Sequence, residues 1–331
     1  MTSTPTYLVT GAGGGGGSVS RLVVERLIGR GEEVRAMVHR DDSRADALRE
    51  LGAQVVVGDL TNPVDVASAT FGITRMFFNM SVSPQYLEAT AVVCAAATDL
   101  DGLELLVNMS QLTVSQMTAT STAESHQQRL HWLAEHVINW SAIPAVHIRP
   151  TVFLDNPLFT VLAARSIRDS NQLALPFGTG RTSPIAATDV ADALTAVLIA
   201  PENHAGHVYE LTGPAVLNLD ELAAQYAAAL GRPIRAVRLP YARWLDQLNE
   251  VGLDPYVQQH MATVARLHSD DRYNRLSTDL PRLTGHPAQS VEQYIRLHRN
   301  QFGPSTEPTR QPEPPRETVP ATSKYATHNE R

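Results

Sequence analysis

Apolar positions change period along this chain. Between Tyr7 and Pro150, six short β-branched runs, "TYLVTG", "EVRAMVH", "QVVVGDL", "RMFFNMS", "LELLVNMS" and "AVHIRP", alternate with longer segments whose apolar residues recur every three or four positions. Continuous apolar runs suit strands buried on both faces, and their alternation with helical periods predicts βαβ units on a parallel sheet. "SRLVVERLIGRG" sets Val19, Leu22, Val23 and Leu27 on one helical stripe, and "PQYLEATAVVCAAATDL" reads as a second, mostly apolar helix. Right-handed crossovers then make the sheet doubly wound. After Asn156 the pattern changes. "NPLFTVLAARSIRDS" predicts a helix, "TSPIAATDVADALTAVLIAP" a turn entering another, and "HVYELTGP" a late strand. "NLDELAAQYAAALGR" predicts a helix capped by Asn218 or Asp220 and closed by Gly231. The expected organisation is a sheet domain over residues 5–155, rejoined by about 183–212. A smaller mixed lobe over 156–182 and 213–303 is expected to carry substrate walls, followed by a disordered tail at 304–331 rich in Pro, Thr, Glu and Arg.

Composition narrows the partners. A chain of 331 residues with 43% hydrophobic content can bury a large core. A net charge of -7 without a basic run offers no grip on nucleic acid or an anionic membrane, and no apolar run reaches the ~18 residues of a bilayer span. "MTSTPTYLVTG" leaves no room for a secretory leader, so the expectation is a cytoplasmic protein, monomer or homodimer. Cys94 lies alone in "AVVCAAA" and reads as a packed core thiol. His126, His131 and His136 recur every fifth residue and do not share a helical face, and His204 with His207 lacks carboxylate or thiol company, so no metal site is expected.

The chemistry starts at "TGAGGGGGSVS", a glycine-rich turn directly after the first strand and before the first helix. Backbone amides and the helix dipole favour a pyrophosphate there, which predicts a dinucleotide-binding Rossmann domain, with Ser18 and Val19 opening the helix over the phosphates. Read from the strand, the motif is Gly11, Gly14 and Gly17. Read back from the helix, Gly17-Ser18-Val19-Ser20 is its end, with Ser20 in the third glycine's place. The second strand ends at His39 and Arg40, with Asp41 and Asp42 beyond, a pattern that leans to NADP over NAD without deciding it. Asp59 and Leu60 end the third strand where they would meet the adenine, or where Asp59 would cap the helix before Pro63.

"YLVTGAGG", "EVRAMVHR", "VVVGDL", "HWLAEHVINWSAIPAVHIRPTVFLDN", "SPIAATDVADA", "GHVYELTGP" and "LAAQYAAALGRPI" together resemble the NmrA-like branch of the atypical short-chain dehydrogenases/reductases, from about Tyr7 to Phe302. The resemblance implies an α/β Rossmann fold with a smaller C-terminal lobe and NAD or NADP across the strand ends. It favours the helix-side register, in which three glycines are an insertion that weakens cofactor binding and is ordered only with the dinucleotide present. It places Asn79, Met80, Ser81, Thr151 and Phe153 at the nicotinamide and matches Ser110 to the family's strand-end serine. Where typical members carry a Tyr-x-x-x-Lys pair, this chain has Gln127 and His131. No shift of register restores the lysine: of 27 Lys and Arg together, only Lys324 is lysine. His131 and Glu135, one turn apart, form an HxxxE pair that would orient an imidazole on the nicotinamide ribose, or serve structure alone. Ser110, Gln111, His126 and His131 are the catalytic candidates. Tyr241, Trp244, Tyr256 and His260 are lobe residues of a size to border a pocket or fill a core.

A missing acid costs least with a substrate whose oxygens are already acidic and delocalised. The resulting expectation is an NAD(P)H-dependent oxidoreductase acting on a small aromatic or quinone-like, conceivably polyketide, substrate. Oxygenation of that substrate without flavin or metal, in the manner of a monooxygenase, is a further expectation, and the Arg- and Ala-rich composition points to the secondary metabolism of a high-GC bacterium. The alternative is a non-catalytic NAD(P)-binding redox sensor.

Overall fold

The computed structural model describes residues 6–14 and 18–303. Gly17 and the tail at 304–331, including Lys324, lie outside the described residues, as does most of the expected glycine insertion.

The first half follows the alternation of apolar periods: β1 (Thr6–Val9), α1 (Val19–Ile28), β2 (Glu33–Val38), α2 (Ser43–Glu50), β3 (Gln54–Val57), α3 (Pro63–Thr70), β4 (Arg75–Phe78), α4 (Tyr86–Thr98), β5 (Leu105–Met109), α5 (His126–Trp140) and β6 (Ala145–Pro150). The second half adds α6 (Ala164–Ser170), β7 (Gln172–Leu175), α7 (Ala187–Ile199), β8 (Val208–Leu211), α8 (Leu219–Leu230), β9 (Arg235–Arg238), α9 (Tyr241–Glu250), α10 (Pro255–Ser269), α11 (Asp279–Thr284) and α12 (Val291–Leu297).

Seven strands form one sheet in the order β3-β2-β1-β4-β5-β6-β8, every neighbour parallel. The order reverses between β1 and β4, the place where a doubly wound sheet opens a crevice at the carboxyl ends of its strands. One face is covered by a core that includes Val23, Val24 and Leu27 of α1 and Val190, Leu194 and Val197 of α7. The other carries Val93 and Cys94 of α4 with Leu130, Ala134 and Ile138 of α5. Cys94 is a buried free thiol. On α1 the buried face is Ser20, Val23, Val24 and Leu27, so Val19 and Leu22 border the core rather than fill it.

The C-terminal elements gather around a separate core containing Phe159, Phe177, Tyr226, Trp244 and Tyr294, with β7 and β9 paired as a two-stranded parallel sheet. Of the two proposed caps on α8, Asn218 holds the position in a reciprocal capping box with Glu221, and Gly231 closes the helix at φ 69°. Leu158–Ala163, between Asn156 and α6, is π-helical, a widened turn of a kind often found beside functional sites.

Candidate functional site

Two cavities adjoin along the carboxyl ends of the sheet, and Met80, just after β4, borders both. The first is a cleft of about 380 Å³ lined by Gly11, Val38, His39, Gly58, Asp59, Leu60, Thr61 and Ser81 among others. The second is a chamber of about 280 Å³ between the sheet and α10 of the C-terminal lobe.

The cleft is held in shape by short-range bonds. Thr10 Oγ1 donates to the Asn79 carbonyl at 2.8 Å and accepts from the Asn79 amide at 2.9 Å, tying the end of β1 to the end of β4. Gly11 follows at φ +67°, and a Cβ there would stand 2.7 Å from the Asn79 carbonyl oxygen, so both backbone and space require glycine. Ser20 is fully buried and its Oγ accepts from Asn79 Nδ2 at 2.9 Å. A small residue is thus needed at Ser20, which packs against Gly11 and Asn79. At Gly14 a Cβ would meet Ser18 at 2.7 Å.

Ser18 sits at the N-cap of α1 without bonding a first-turn amide, and that turn contains no acidic residue. Among the described residues no side chain caps its first-turn amides, and those amides with the helix dipole favour an anion there. A dinucleotide pyrophosphate fits these residues.

At the adenosine end, Asp59 Oδ1 accepts from the Thr61 amide and Thr61 Oγ1, both at 2.8 Å, and these bonds hold its carboxyl below the usual carboxylate range. Asp59 does not cap the next helix. Asn62 does, accepting from the Val64 amide at 3.0 Å. His39 lines the cleft, whereas Arg40 is exposed and outside its lining. Of the two acidic residues beyond, Asp42 caps α2 and Asp41 pairs with Arg49.

The chamber brings together Asn79, Met80, Ser110, Gln111, His131, Thr151 and Phe153 from the expected set. It adds Gln127 from α5, Leu112, and Val257, His260, Met261 and Val264 from α10. Its lining has no Asp, Glu, Lys or Arg. Thr151 Oγ1 is buried without a hydrogen-bond partner among the described residues.

Beneath the floor, Arg149 clamps the buried Glu135 through Nε at 2.9 Å and Nη2 at 2.5 Å, and Ser110 Oγ donates to Glu135 Oε1 at 2.5 Å. The expected HxxxE pair is therefore absent: Glu135 turns to Ser110 and Arg149, because a buried carboxylate is better compensated by a bidentate guanidinium than by an imidazole. His131 instead bonds Gln127, Nε2 to Nε2 at 3.1 Å. Gln127 Oε1 accepts from the Ser83 amide and from Tyr256 Oη, so its Nε2 must donate to His131, and the imidazole proton resides on Nδ1. Burial pushes the His131 pKa down to about 3, which keeps it neutral.

His126, a candidate for substrate contact, is corrected: it is exposed, outside the chamber lining, and packs edge-on against Tyr256 at 5.6 Å. As the first residue of α5, it points away from the strand ends that Gln127 and His131 face. Of the four lobe residues, Trp244 is fully buried in the lobe core, and Tyr241 donates to the Ala262 carbonyl at the surface. Only His260 lines the chamber, while Tyr256 reaches it through Gln127. The α10 wall was missed because its chamber-facing apolar residues repeat like any core helix. Among the described residues, no three His, Cys, Asp or Glu side chains converge as metal ligands, and no helix is long and apolar enough to cross a membrane.

The chain belongs to the NAD(P)H-binding family, whose model matches residues 14–201. It is 27% identical over 292 residues to an NAD(P)H azoreductase of Xenophilus azovorans, covering 88% of this chain and 98% of that one. Among solved structures, an NADPH-dependent quinone oxidoreductase of Escherichia coli shares the fold with a TM-score of 0.76 at 22% identity, over 89% of this chain and all of that one. The negative transcriptional regulator NmrA in complex with NADP does so with a TM-score of 0.73 at 16% identity, over 88% and 94%. The Rossmann fold and the NmrA-like architecture are thus those of the chain, and its cofactor is NAD(P)H.

Proposed function

We propose that the chain is an NAD(P)H-dependent oxidoreductase that reduces small aromatic acceptors of the quinone or azo type. The observation that carries this reading is the apolar chamber without a formal charge, opening on the cofactor cleft at Met80. The azoreductase relative supports it.

Gly11, Ser18, Val19 and the α1 amides would hold the pyrophosphate, Asp59 and Leu60 the adenosine, and Asn79, Met80, Thr151 and Phe153 the nicotinamide. NAD(P)H bound there supplies a hydride, which with one proton from solvent converts a quinone to its hydroquinone. The chamber has little with which to deliver that proton. Ser110 spends its hydroxyl hydrogen on Glu135, so toward a ligand it can only accept. His131 is neutral, with its Nε2 lone pair occupied by Gln127. Such a site suits an acceptor whose reduced form survives as a phenolate-like anion, with a pKa of about 10, better than a simple ketone.

Anaerobic oxidation of NADPH and of NADH against neutral quinones, polycyclic phenols and azo dyes tests this reading. Sulfonated analogues should show KM raised by roughly tenfold or more, since the chamber offers a permanent anion no cationic partner. Cofactor binding without turnover of any acceptor would favour the alternative, a redox sensor, a reading supported by the fold shared with NmrA. Oxygenation of a polyketide-like substrate is an extension of the reductase reading. It requires that label from ¹⁸O₂ enter the product.

A further inference from the structure

α10 approaches the chamber from the C-terminal lobe and presents His260, of which 8% is exposed. Its Nδ1 lies 2.8 Å from Ser125 Oγ. Ser125 is also the N-cap of α5: its Oγ accepts from the Gln128 amide at 3.1 Å, and its own amide donates to Gln128 Oε1 at 2.8 Å. The capping bond uses one lone pair of the serine oxygen, and among the described residues its hydroxyl hydrogen has no acceptor other than His260 Nδ1. Satisfying that hydroxyl makes Nδ1 the lone-pair nitrogen and places the proton of the neutral ring on Nε2. No protein atom bonds Nε2 among the described residues, and it is not among the polar atoms sealed from solvent.

Resting on the reduction proposed above, we propose that His260, held by Ser125 as the neutral Nε2–H tautomer, is a catalytic residue that donates a hydrogen bond to the acceptor oxygen or nitrogen on which negative charge develops. Two other polar groups of the wall are turned elsewhere or sealed. Ser110 is turned toward Glu135, and His131 Nδ1 is sealed from solvent without a hydrogen-bond partner among the described residues. Burial keeps His260 neutral, with its pKa lowered to about 4, so the bond polarises the acceptor without transferring a proton. A pre-positioned donor of this kind, aimed at developing charge in a water-poor site, contributes roughly 10²–10³ in rate.

The test compares two acceptors. Reduction of 1,4-naphthoquinone places charge on oxygen, whereas 10-methylacridinium becomes neutral on accepting hydride and has no oxygen to stabilise. His260→Phe should lower kcat for the quinone about 100-fold with KM changed by less than about threefold, and lower acridinium reduction far less. His260→Gln, which keeps an N–H donor, should restore part of the quinone rate. Equal loss with both acceptors, or no loss with either, overturns the assignment. A wild-type protein that reduces neither acceptor overturns the reductase reading and this inference with it. A readout independent of turnover and of the variants' folding is the long-range ¹H–¹⁵N spectrum of the histidine-labelled wild-type protein. An Nε2–H pattern for the ring coupled to Ser125 is expected, and an Nδ1–H pattern there overturns the proposal.

Discussion

The cleft and the chamber stand side by side on the same strand ends, yet they are built in opposite ways. The cleft is made by loops that directly follow β1 to β4, and its shape rests on backbone conformation and short bonds such as Thr10 to Asn79 and Thr61 to Asp59. The chamber is assembled from five separate stretches, at Asn79–Val82, Met109–Leu112, Gln127–His131, Pro150–Pro157 and Val257–Tyr273, and its shape rests on buried side chains and one ion-paired carboxylate. A site made of backbone keeps its geometry through most side-chain changes. A site made of buried polar side chains depends on each of them keeping its partner and its charge state.

Acid should separate the two most strongly. His131, His260 and His268 are buried, and burial lowers their pKa values to about 3, 4 and 3. The unfolded chain, with imidazoles near 6.5, binds protons that the folded chain refuses. The histidine contribution to stability is therefore complete above about pH 6.5 and is lost as pH falls toward 4. At pH 5 each group costs about 2 kcal/mol, about 6 kcal/mol together. Urea midpoints measured from pH 8 to 5 should fall steeply, and the triple replacement of these histidines by Gln should flatten the curve.

Glu135→Ala leaves the half-buried Arg149 without its partner and frees Ser110, at an expected cost of about 3 kcal/mol. Thermal unfolding measures the loss, which Glu135→Ala with Arg149→Met should partly recover. Gly11→Ala strikes the cleft. It forces a side chain onto a positive φ and against the Asn79 carbonyl, for about 2–3 kcal/mol and a cofactor affinity reduced at least tenfold, read by NADPH fluorescence. Arg40→Ala should have the smallest effect. Its side chain is exposed and outside the cleft lining, so NADPH affinity should change by less than about threefold. A larger loss would show that Arg40 turns inward onto a 2′-phosphate.

The two sites also differ in how far they can be read from residues alone. The glycines after β1, the strand-end residues His39 and Asp59, and the small Ser20 are positions where a local rule of backbone geometry assigns a residue type before any packing is known. The same reasoning paired His131 with Glu135, since they lie one turn apart, and failed because Arg149 on the neighbouring strand offered the carboxylate two bonds. It gave His126 a place beside substrate on its position at the start of α5, and failed because His126 is exposed beside Tyr256 while the next residue, Gln127, lines the chamber. His260 stood among four plausible lobe residues with nothing local to single it out.

By itself, then, the order of residues determined the parallel sheet, the glycine turn after β1 and the absence of a Tyr-Lys pair. Each follows from periodicity, local conformation or composition, which need no knowledge of distant neighbours. Only the tertiary structure decided which nitrogen of His131 carries a proton, which partner Glu135 takes, and that α10 borders the chamber. Those outcomes depend on desolvation and on hydrogen-bond competition across different elements, from Glu135 and Arg149 on α5 and β6 to Ser125 and His260, more than a hundred positions apart.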